Sequence, residues 1–427
     1  MKKLSLFIFI FMSVIAFGQK REITNAWGYL KDGFLDDAKK SIDKAELNVE
    51  TKDSYKTYYY KGKIYRELGV SKNKKYKALC GETCFDVAYD ALMKSIKLNF
   101  TKPENQNLDL TDELDLMKFA KVLGKQDSRD FEDFESIADI VMNIFPALSN
   151  DLVNEGIKKF QEEKFEESYQ KFVKASSIAI TSADTQLIYL TSLAAMETNR
   201  FKETSKFCEA LIKLNYGENN QIKVTIYLNL SRAYSALNDT VKMLKTLDAG
   251  ISKFPQDNYP LIIEAFNFFV KIKDDEKALN YINMAIEKNP TNPAFYSIKG
   301  TLFEGMGNKD GAAEEYNKGL QIDPENFDAN YQLGAMYYNA AVDTIEWANK
   351  NLPPRDFDKI REYTEVAKNL WEKSLPYLEK AYSMQPQNLN VLQTLRIIYR
   401  KTGKMDLYDK VDAEIKVLTE PKQETTE

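Results

Sequence analysis

Apolar and small residues recur at steps of three and four along residues 293–326, PAFYSIKGTLFEGMGNKDGAAEEYNKGLQIDPEN. This spacing gives each of two predicted helices one apolar stripe. The first helix places Tyr296, Lys299, Gly300 and Phe303 at steps of three, one and three, and the second places Ala312, Tyr316 and Gly319 on one face. A short Gly-Asn turn joins the helices, and Asp323-Pro324 ends the second one. The stretch therefore predicts a helical hairpin.

Prolines that follow the second helix of successive hairpins repeat with a nearly constant period. Pro255 and Pro290 are 35 positions apart, and Pro290 and Pro324 are 34 positions apart. The next proline of the series, Pro386, lies 62 positions after Pro324, which is one period plus 28 residues. We therefore predict an insertion over residues 341–368 that extends the first helix, breaks at a pair of prolines and leads into the second helix.

This 34-residue helix–turn–helix pattern resembles the tetratricopeptide repeat. The resemblance implies an all-α fold, an α-solenoid in which hairpins stack into a right-handed superhelix. One hairpin cannot bury its apolar stripe alone, whereas stacked hairpins can. Gly300 and Gly334 are expected where the first helix of a hairpin, helix A, approaches the second, helix B, closely. We predict a main repeat array over residues 149–418, interrupted by the 341–368 insertion.

The N-terminal part of the chain departs from this period. Residues 19–100 fit two degenerate repeats, and the second repeat carries an insertion of about 14 residues between its helices. Residues 101–148 do not fit the period. Apolar stretches at 109–123 and 131–145 predict a helical pair there, which spaces or caps the first repeats.

Three cysteines occur, and two of them lie in the N-terminal insertion. Cys80 and Cys84 form a C-x3-C pair, which in an exported protein favours a disulfide. A metal site and a redox-active pair are alternatives, although a metal needs more ligands and redox motifs use C-x-x-C. Cys208 occupies an apolar helix position, which indicates a small buried hydrophobic residue.

The first 18 residues have the features of a secretory signal peptide. Lys2 and Lys3 precede an apolar stretch of 14 residues, and small residues before Gln19 indicate cleavage after Gly18. That stretch is shorter than the roughly 20 residues that span a bilayer. We therefore expect an exported protein, periplasmic or secreted, with no membrane span in the mature chain. Residues 419–427 are polar and predict a disordered tail.

Composition narrows the chemistry that this chain can perform. The 427 residues include no histidine and carry a net charge of −5. The absence of histidine excludes a Ser-His-Asp triad, a Cys-His dyad and histidine metal ligation. A mildly acidic chain without a long basic run disfavours nucleic acid and anionic membrane surfaces as partners. We therefore expect no enzymatic activity, no metal and no cofactor.

The resemblance also implies which residues contact a partner. Tetratricopeptide repeats bind peptides in a concave groove that is lined mainly by helix A. The positions of this chain that match the groove are Tyr59, Lys63, Arg66, Tyr189, Arg232, Ser235, Asn267, Thr301, Tyr331 and Tyr338. Some family members grip a C-terminal carboxylate with a Lys/Asn/Arg clamp, and Asn267 matches one clamp position without the accompanying lysines. A mixed Tyr/Arg/Asn groove suits a peptide or loop of another protein.

These observations predict a non-enzymatic scaffold or adaptor of the bacterial envelope that binds a protein or peptide partner. A helical protein that binds glycans or nutrients is one alternative, and it would need exposed tryptophan rings, of which the chain has three candidates. A purely architectural subunit of an envelope complex is another alternative. An enzyme would need converging carboxylates, which the sequence does not indicate. The sequence leaves the oligomeric state open.

Overall fold

The structure, a computed structural model, describes residues 21–110, 112–125, 128–179 and 184–419. Within these ranges the regular secondary structure is helical, and a single isolated β-bridge joins Phe100 to Phe131. The predicted all-α fold is confirmed. The predicted signal peptide, residues 1–18, and residues 420–427 of the predicted tail lie outside the described residues. Thr419, predicted to begin the tail, is instead the final residue of the last helix.

The chain forms two compact units, and the first unit extends to Met243. Its helices are, in chain order, α1 (residues 21–32), α2 (Leu35–Leu47), α3 (Tyr55–Val70), α4 (Lys74–Lys77), α5 (Cys84–Asn99), α6 (Pro103–Gln106), α7 (Glu113–Gly124), α8 (Phe134–Asp139), α9 (Phe145–Gln161), α10 (Phe165–Ile178), α11 (Thr185–Glu197), α12 (Phe201–Lys213) and α13 (Asn220–Ala236). The unit also contains 3-10 turns at Gly81–Thr83 and Ser128–Asp130 and a π-helical turn at Ile140–Ile144.

The second unit begins at Leu244, within α14 (Thr240–Lys253). Its further helices are α15 (Tyr259–Lys271), α16 (Asp275–Lys288), α17 (Pro293–Gly305), α18 (Lys309–Ile322), α19 (Phe327–Asn351), α20 (Phe357–Met384), α21 (Leu389–Thr402) and α22 (Met405–Thr419). From α9 to α13 in the first unit and from α15 to α22 in the second, each helix packs on the next along the chain, which is the arrangement of stacked hairpins. Among the described helices, none has the length and apolar character that crossing a membrane requires.

The turn between helix A and helix B has one backbone form in the regular hairpins. A residue with positive φ ends helix A, and the amide of the next residue donates to the carbonyl five positions earlier. Asn199, for example, has a φ of 57°, and the Arg200 amide lies 2.8 Å from the Ala195 carbonyl oxygen. The positive-φ residues of these turns are Gly33, Glu163, Asn199, Asn238, Lys273, Gly307 and Gly403. The two insertions replace this turn in the hairpins α3–α5 and α19–α20.

Helix A approaches helix B closely where the sequence places a glycine. A Cβ added to Gly300 would lie 2.5 Å from Cε1 of Tyr316, and one added to Gly334 would lie 2.6 Å from Cγ of Leu378. Both distances are well below a normal carbon–carbon contact, so a larger residue would force the helices apart. The close approach that the sequence predicts at Gly300 and Gly334 is therefore confirmed.

Residues 134–161 form one continuous helical run between the off-period segment and the repeats. α8 passes through the π-helical turn at Ile140–Ile144 directly into α9. The sequence predicts a boundary between these two parts at residue 148. The spacing of apolar residues shifts at the π turn. The sequence pattern therefore does not predict one helix, although the helical backbone is uninterrupted.

The 341–368 insertion lengthens both helices of one hairpin. α19 has 25 residues and α20 has 28 residues. The break between them contains Pro353 and Pro354, as the sequence predicts. Trp347 of α19 stacks on Tyr363 of α20, with ring centroids 4.9 Å apart. The insertion is therefore a packed continuation of the hairpin.

The close approach at Gly300 gives a test of the hairpin packing. We expect Gly300→Ala to lower the free energy of unfolding by about 1–3 kcal/mol, because the added methyl group must displace the Tyr316 ring. Gly305→Ala is the matched control on the same helix, where an added Cβ would meet only Asp275 Oδ2 at 3.8 Å. Urea denaturation followed by circular dichroism measures both variants. Equal losses of stability would contradict the role assigned to Gly300.

Candidate partner-binding site

Three predicted contact residues lie on α3 and bind acidic side chains of later helices. Tyr59 Oη donates to Asp139 Oδ2 at 2.6 Å, and Lys63 Nζ donates to the same oxygen at 3.0 Å. Arg66 Nε donates to Asp151 Oδ2 at 2.8 Å. Asp139 is the last residue of α8, and Asp151 lies on α9. The three side chains therefore link α3 to the helical run that follows the off-period segment.

This network changes the ionisation of its members. Burial, followed by the hydrogen bond to Asp139, raises the pKa of Tyr59 above its ordinary value. Burial opposes ionisation of Asp139, but hydrogen bonds from Tyr59, Asn143 and Lys63 outweigh it, so the pKa of Asp139 is lowered. Sequence patterns miss Asp139 as a partner because the segment that carries it has no repeat position to match.

Lys63 and Arg66 also line a cleft of about 530 Å³ in the first unit. Leu30, Leu35 and Tyr76 contribute to the wall of this cleft. The charged groups of both cations are already held by carboxylates of the chain. A ligand in this cleft would therefore compete with those carboxylates for the cations.

The predicted contact residues of α11 and α13 differ in exposure. Tyr189 is half-buried on α11, with its ring centroid 5.6 Å from that of Tyr216. Burial is the main cause that raises the pKa of Tyr189. Arg232 and Ser235 are exposed on α13. In the first unit these two residues are thus accessible to a partner, and Tyr189 is partly accessible.

The second unit carries the other four predicted contact residues. Asn267 on α15 and Thr301 on α17 are exposed. Tyr331 and Tyr338 are both half-buried and lie about two turns apart on one face of α19. The ring of Tyr331 stacks on Phe327 with centroids 5.9 Å apart, and burial raises the pKa of Tyr338. α19 therefore presents two aromatic rings just before the insertion begins.

The Cys80–Cys84 pair lies in the insertion between α3 and α5. The two sulfur atoms are bonded in the structure, at a distance of 1.94 Å. Glu82, inside the loop that this bond closes, accepts a hydrogen bond from Lys159 Nζ at 2.7 Å. Lys159 is only 5% exposed and also pairs with Glu167 at 2.8 Å. A buried lysine thus fastens the insertion to α9 and α10.

A second buried lysine ties the start of α5 to the same two helices. Lys171 Nζ donates to Asp86 Oδ2 at 2.7 Å and to Glu155 Oε2 at 2.6 Å. Lys174 Nζ donates to the other oxygen of Asp86 at 2.9 Å. Burial opposes ionisation of Asp86, but the two lysines outweigh it, and the pKa of Asp86 is lowered. Each buried charge of the cluster has a partner, so the loss of one partner would leave a charge unpaired at the contact between α5, α9 and α10.

The remaining cysteine and the acidic side chains form no metal site in the described part of the chain. Cys208 on α12 is fully buried and free, in agreement with the sequence prediction. Burial raises the pKa of its thiol to about 12, so the group is protonated at neutral pH. No group of three or more cysteine, aspartate or glutamate side chains among the residues described could hold a metal ion.

Comparison with known proteins identifies the repeat. A family model described as TPR repeat, the tetratricopeptide repeat, matches residues 305–340, which include α18 and the first part of α19. A TPR repeat-containing protein from Methanocaldococcus jannaschii is 20% identical over 237 residues, which are 42% of this chain and 41% of that protein. The chain thus spans less than half the length of this curated relative. The repeated hairpins and this match support the assignment of the chain to the tetratricopeptide repeat proteins, as the sequence predicts.

The chain is also similar to solved structures of repeat proteins. The C-terminal part of a TPR repeat-containing protein from Cytophaga hutchinsonii is 11% identical with a TM-score of 0.46, over 62% of this chain and 95% of that one. A TPR repeats protein from Bacteroides fragilis is 20% identical with a TM-score of 0.27, over 62% and 98%. YrrB, described as a TPR protein with an unusual peptide-binding site, is 15% identical with a TM-score of 0.35, over 46% and 96%.

Removal of the Asp86 charge tests the cluster around Lys171. We expect Asp86→Asn to lower the free energy of unfolding by about 2 kcal/mol at neutral pH, because Lys171 and Lys174 lose a charged acceptor. The pKa of Asp86 is lowered in the fold, so its contribution is present above the ordinary value of 3.8 and is lost as the pH falls through the lower folded value. Urea denaturation at a series of pH values measures the difference between wild type and variant.

The matched control is Asp90→Asn on the same helix. Asp90 is 69% exposed and pairs with Lys174 at 3.6 Å, so we expect a loss below about 1 kcal/mol. A difference between wild type and Asp86→Asn that stays constant as the solution becomes more acidic than the ordinary pKa would contradict the charge-based role of Asp86.

Proposed function

We propose that this protein is a non-enzymatic scaffold or adaptor of the bacterial envelope, which binds a peptide or domain of another protein along helix A of its repeats. Tetratricopeptide repeat proteins bind protein partners, and this repeat fold suggests a scaffold for protein–protein interaction. One observation carries the proposal. In the second unit, Asn267 and Thr301 each follow a buried residue of helix A in successive repeats, 34 residues apart, and both are exposed. In the first unit, Arg232 likewise follows a buried residue of helix A and is exposed.

The chemistry of these three positions supports recognition of a particular partner. The position holds a guanidinium group in one repeat, an amide in the next and a hydroxyl in the third. Side chains of different chemistry at the same exposed repeat position can contact different residues of a peptide ligand. Tyr331 and Tyr338 add aromatic area, and tyrosine rings anchor interfaces because they bury much surface at low entropic cost.

We infer that the protein acts by recognition and performs no covalent chemistry. Tetratricopeptide repeat proteins are typically non-catalytic scaffolds. The buried charge cluster also has a structural explanation, since Glu82 and Asp86 are neutralised by Lys159 and Lys171. Catalytic carboxylates need to converge on a substrate, and these carboxylates converge on lysines.

A glycan-binding protein is the less favoured alternative. Such a protein would present tryptophan rings to solvent. Trp27 is 47% exposed and Trp347 is 48% exposed, but the first lies on α1 in the first unit and the second on α19 in the second unit. Each unit therefore offers one exposed tryptophan ring to a sugar, whereas exposed polar residues of helix A occur in several repeats. A protein partner is therefore the better supported ligand.

We further propose that the protein is exported and matured by cleavage after Gly18. In a bacterial host, the periplasmic or secreted protein is then expected to begin at Gln19, which intact-mass analysis measures. Ile8→Glu is the control, because a charge within the apolar stretch blocks recognition of a signal peptide. Recovery of periplasmic or secreted protein that retains residues 1–18 would contradict the proposed cleavage.

Substitutions on helix A test the proposed binding surface. We expect Tyr331→Ala/Tyr338→Ala and, separately, Arg232→Glu to reduce the amount of captured partner by about tenfold, because anchor residues dominate interface energy. The measurement is affinity capture from a periplasmic extract, followed by quantitative mass spectrometry. Tyr281→Ala is the matched control, since Tyr281 is also half-buried but lies on helix B, in α16. An unchanged set of captured proteins would contradict the assignment to these residues.

A further inference from the structure

A cleft of about 680 Å³ lies between the end of α3, the disulfide insertion and α9. Val70 and Phe85 contribute apolar surface to it, and Lys74, Lys77 and Lys158 are among its basic residues. None of the helix-A contact residues named above lines this cleft. It is therefore a site separate from the surface of the proposed function.

The carboxylates that line the cleft form ion pairs with cations of the fold. The pairs are Glu82 with Lys159 at 2.7 Å, Asp151 with Arg66 at 2.8 Å, and Glu155 with Lys171 at 2.6 Å. In each pair the opposite charges lie close enough to cancel most of their long-range field. Lys159 and Lys171 each pair with a second carboxylate as well, Glu167 and Asp86 respectively.

Two of the other three lysines of the cleft have no ion-pair partner among the described residues, and the third has only longer pairs. Lys74 and Lys77, both on α4, are exposed and form no ion pair with the described residues. Lys75 lies between them in sequence, but it pairs with Asp36 and does not line the cleft. Lys158 is largely exposed and forms two longer ion pairs, with Glu162 at 3.6 Å and with Glu82 at 4.0 Å. The lining of the cleft holds four lysines and three carboxylates, so it carries one excess positive charge in a chain whose net charge is −5.

The backbone that carries these lysines is held by the surrounding structure. The Cys80–Cys84 bond closes the loop that follows α4, and Glu82 in that loop is held by the buried Lys159. Since Lys159 belongs to α9, the two walls of the cleft are joined by this contact. A charged cleft whose walls are held in place loses little conformational entropy when a ligand binds.

We propose that this cleft binds an acidic segment of a protein partner. Aspartate or glutamate carboxylates of that segment contact Lys74, Lys77 and Lys158, while an apolar side chain packs on Val70 and Phe85. A peptide fits this site better than an anionic membrane does, because the lysines surround a concave cleft and a flat lipid surface would reach only its edge. This site is separate from the proposed binding surface on helix A. An experiment that contradicts one of the two sites does not contradict the other.

The test measures binding of a fluorescein-labelled hexaglutamate peptide with an amidated C-terminus to the full chain, by fluorescence anisotropy. The amide removes the terminal carboxylate, so only side-chain carboxylates are probed. We expect saturable binding that weakens as sodium chloride is raised, because salt screens the charge attraction. We also expect Lys74→Glu/Lys77→Glu to weaken binding by about tenfold or more, since two attractive contacts become repulsive.

The matched control is Lys202→Glu/Lys206→Glu on α12. These two lysines are also exposed and form no ion pair within the described ranges, so the substitution changes the net charge equally. We expect it to change the affinity by less than about twofold. Circular dichroism checks that both double variants remain folded.

Three outcomes would overturn the proposal. The first is no saturable binding of hexaglutamate by the wild-type chain. The second is equal weakening by both double variants, which would indicate a general charge effect. The third is binding to phosphatidylglycerol vesicles through Lys74 and Lys77 without binding of the peptide, which would assign the lysines to a lipid surface.

Discussion

Close packing of helix A against helix B is the constraint on which the rest of the structure depends. A lone hairpin leaves an apolar stripe exposed, and stacking buries it only when the two helices of each hairpin lie close together. Glycine allows that distance: Gly156 faces the ring of Phe172, and Gly300 faces the ring of Tyr316. The large residue of helix B fills the space above the glycine, which makes each hairpin a densely packed block.

The turn between the two helices determines where the chain accepts additional sequence. Regular hairpins close with a left-handed residue such as Asn199, and the two insertions replace that turn. Helix packing survives the replacement, because Gly62 still faces Leu92 beside the disulfide insertion and Gly334 still faces Leu378 beside the long one. The features peculiar to this protein are therefore added outside the packed contact of the repeat.

The polar residue types expected to bind a partner also form contacts within the protein. Tyr59 and Lys63 match groove positions of the repeat, yet both bind Asp139 from outside the regular array. Arg232 and Asn267 match the same kind of position and stay exposed. A repeat position indicates which face of helix A a residue occupies, but it does not indicate which irregular segment packs on that face. For this reason the exposure of these positions was predictable in the regular repeats and less so near α3.

The sequence by itself determined the hairpin period, the close contacts at Gly300 and Gly334, and the break at Pro353. Each of these follows from local spacing and from backbone preferences of glycine and proline. Only the tertiary structure decided that α8 continues into α9 and that Lys159 and Lys171 bind Glu82 and Asp86. Those lysines lie 77 and 85 residues from their carboxylate partners, and both partners belong to the irregular insertion or its edge. No local pattern encodes such pairs, because they depend on how separately formed helices pack.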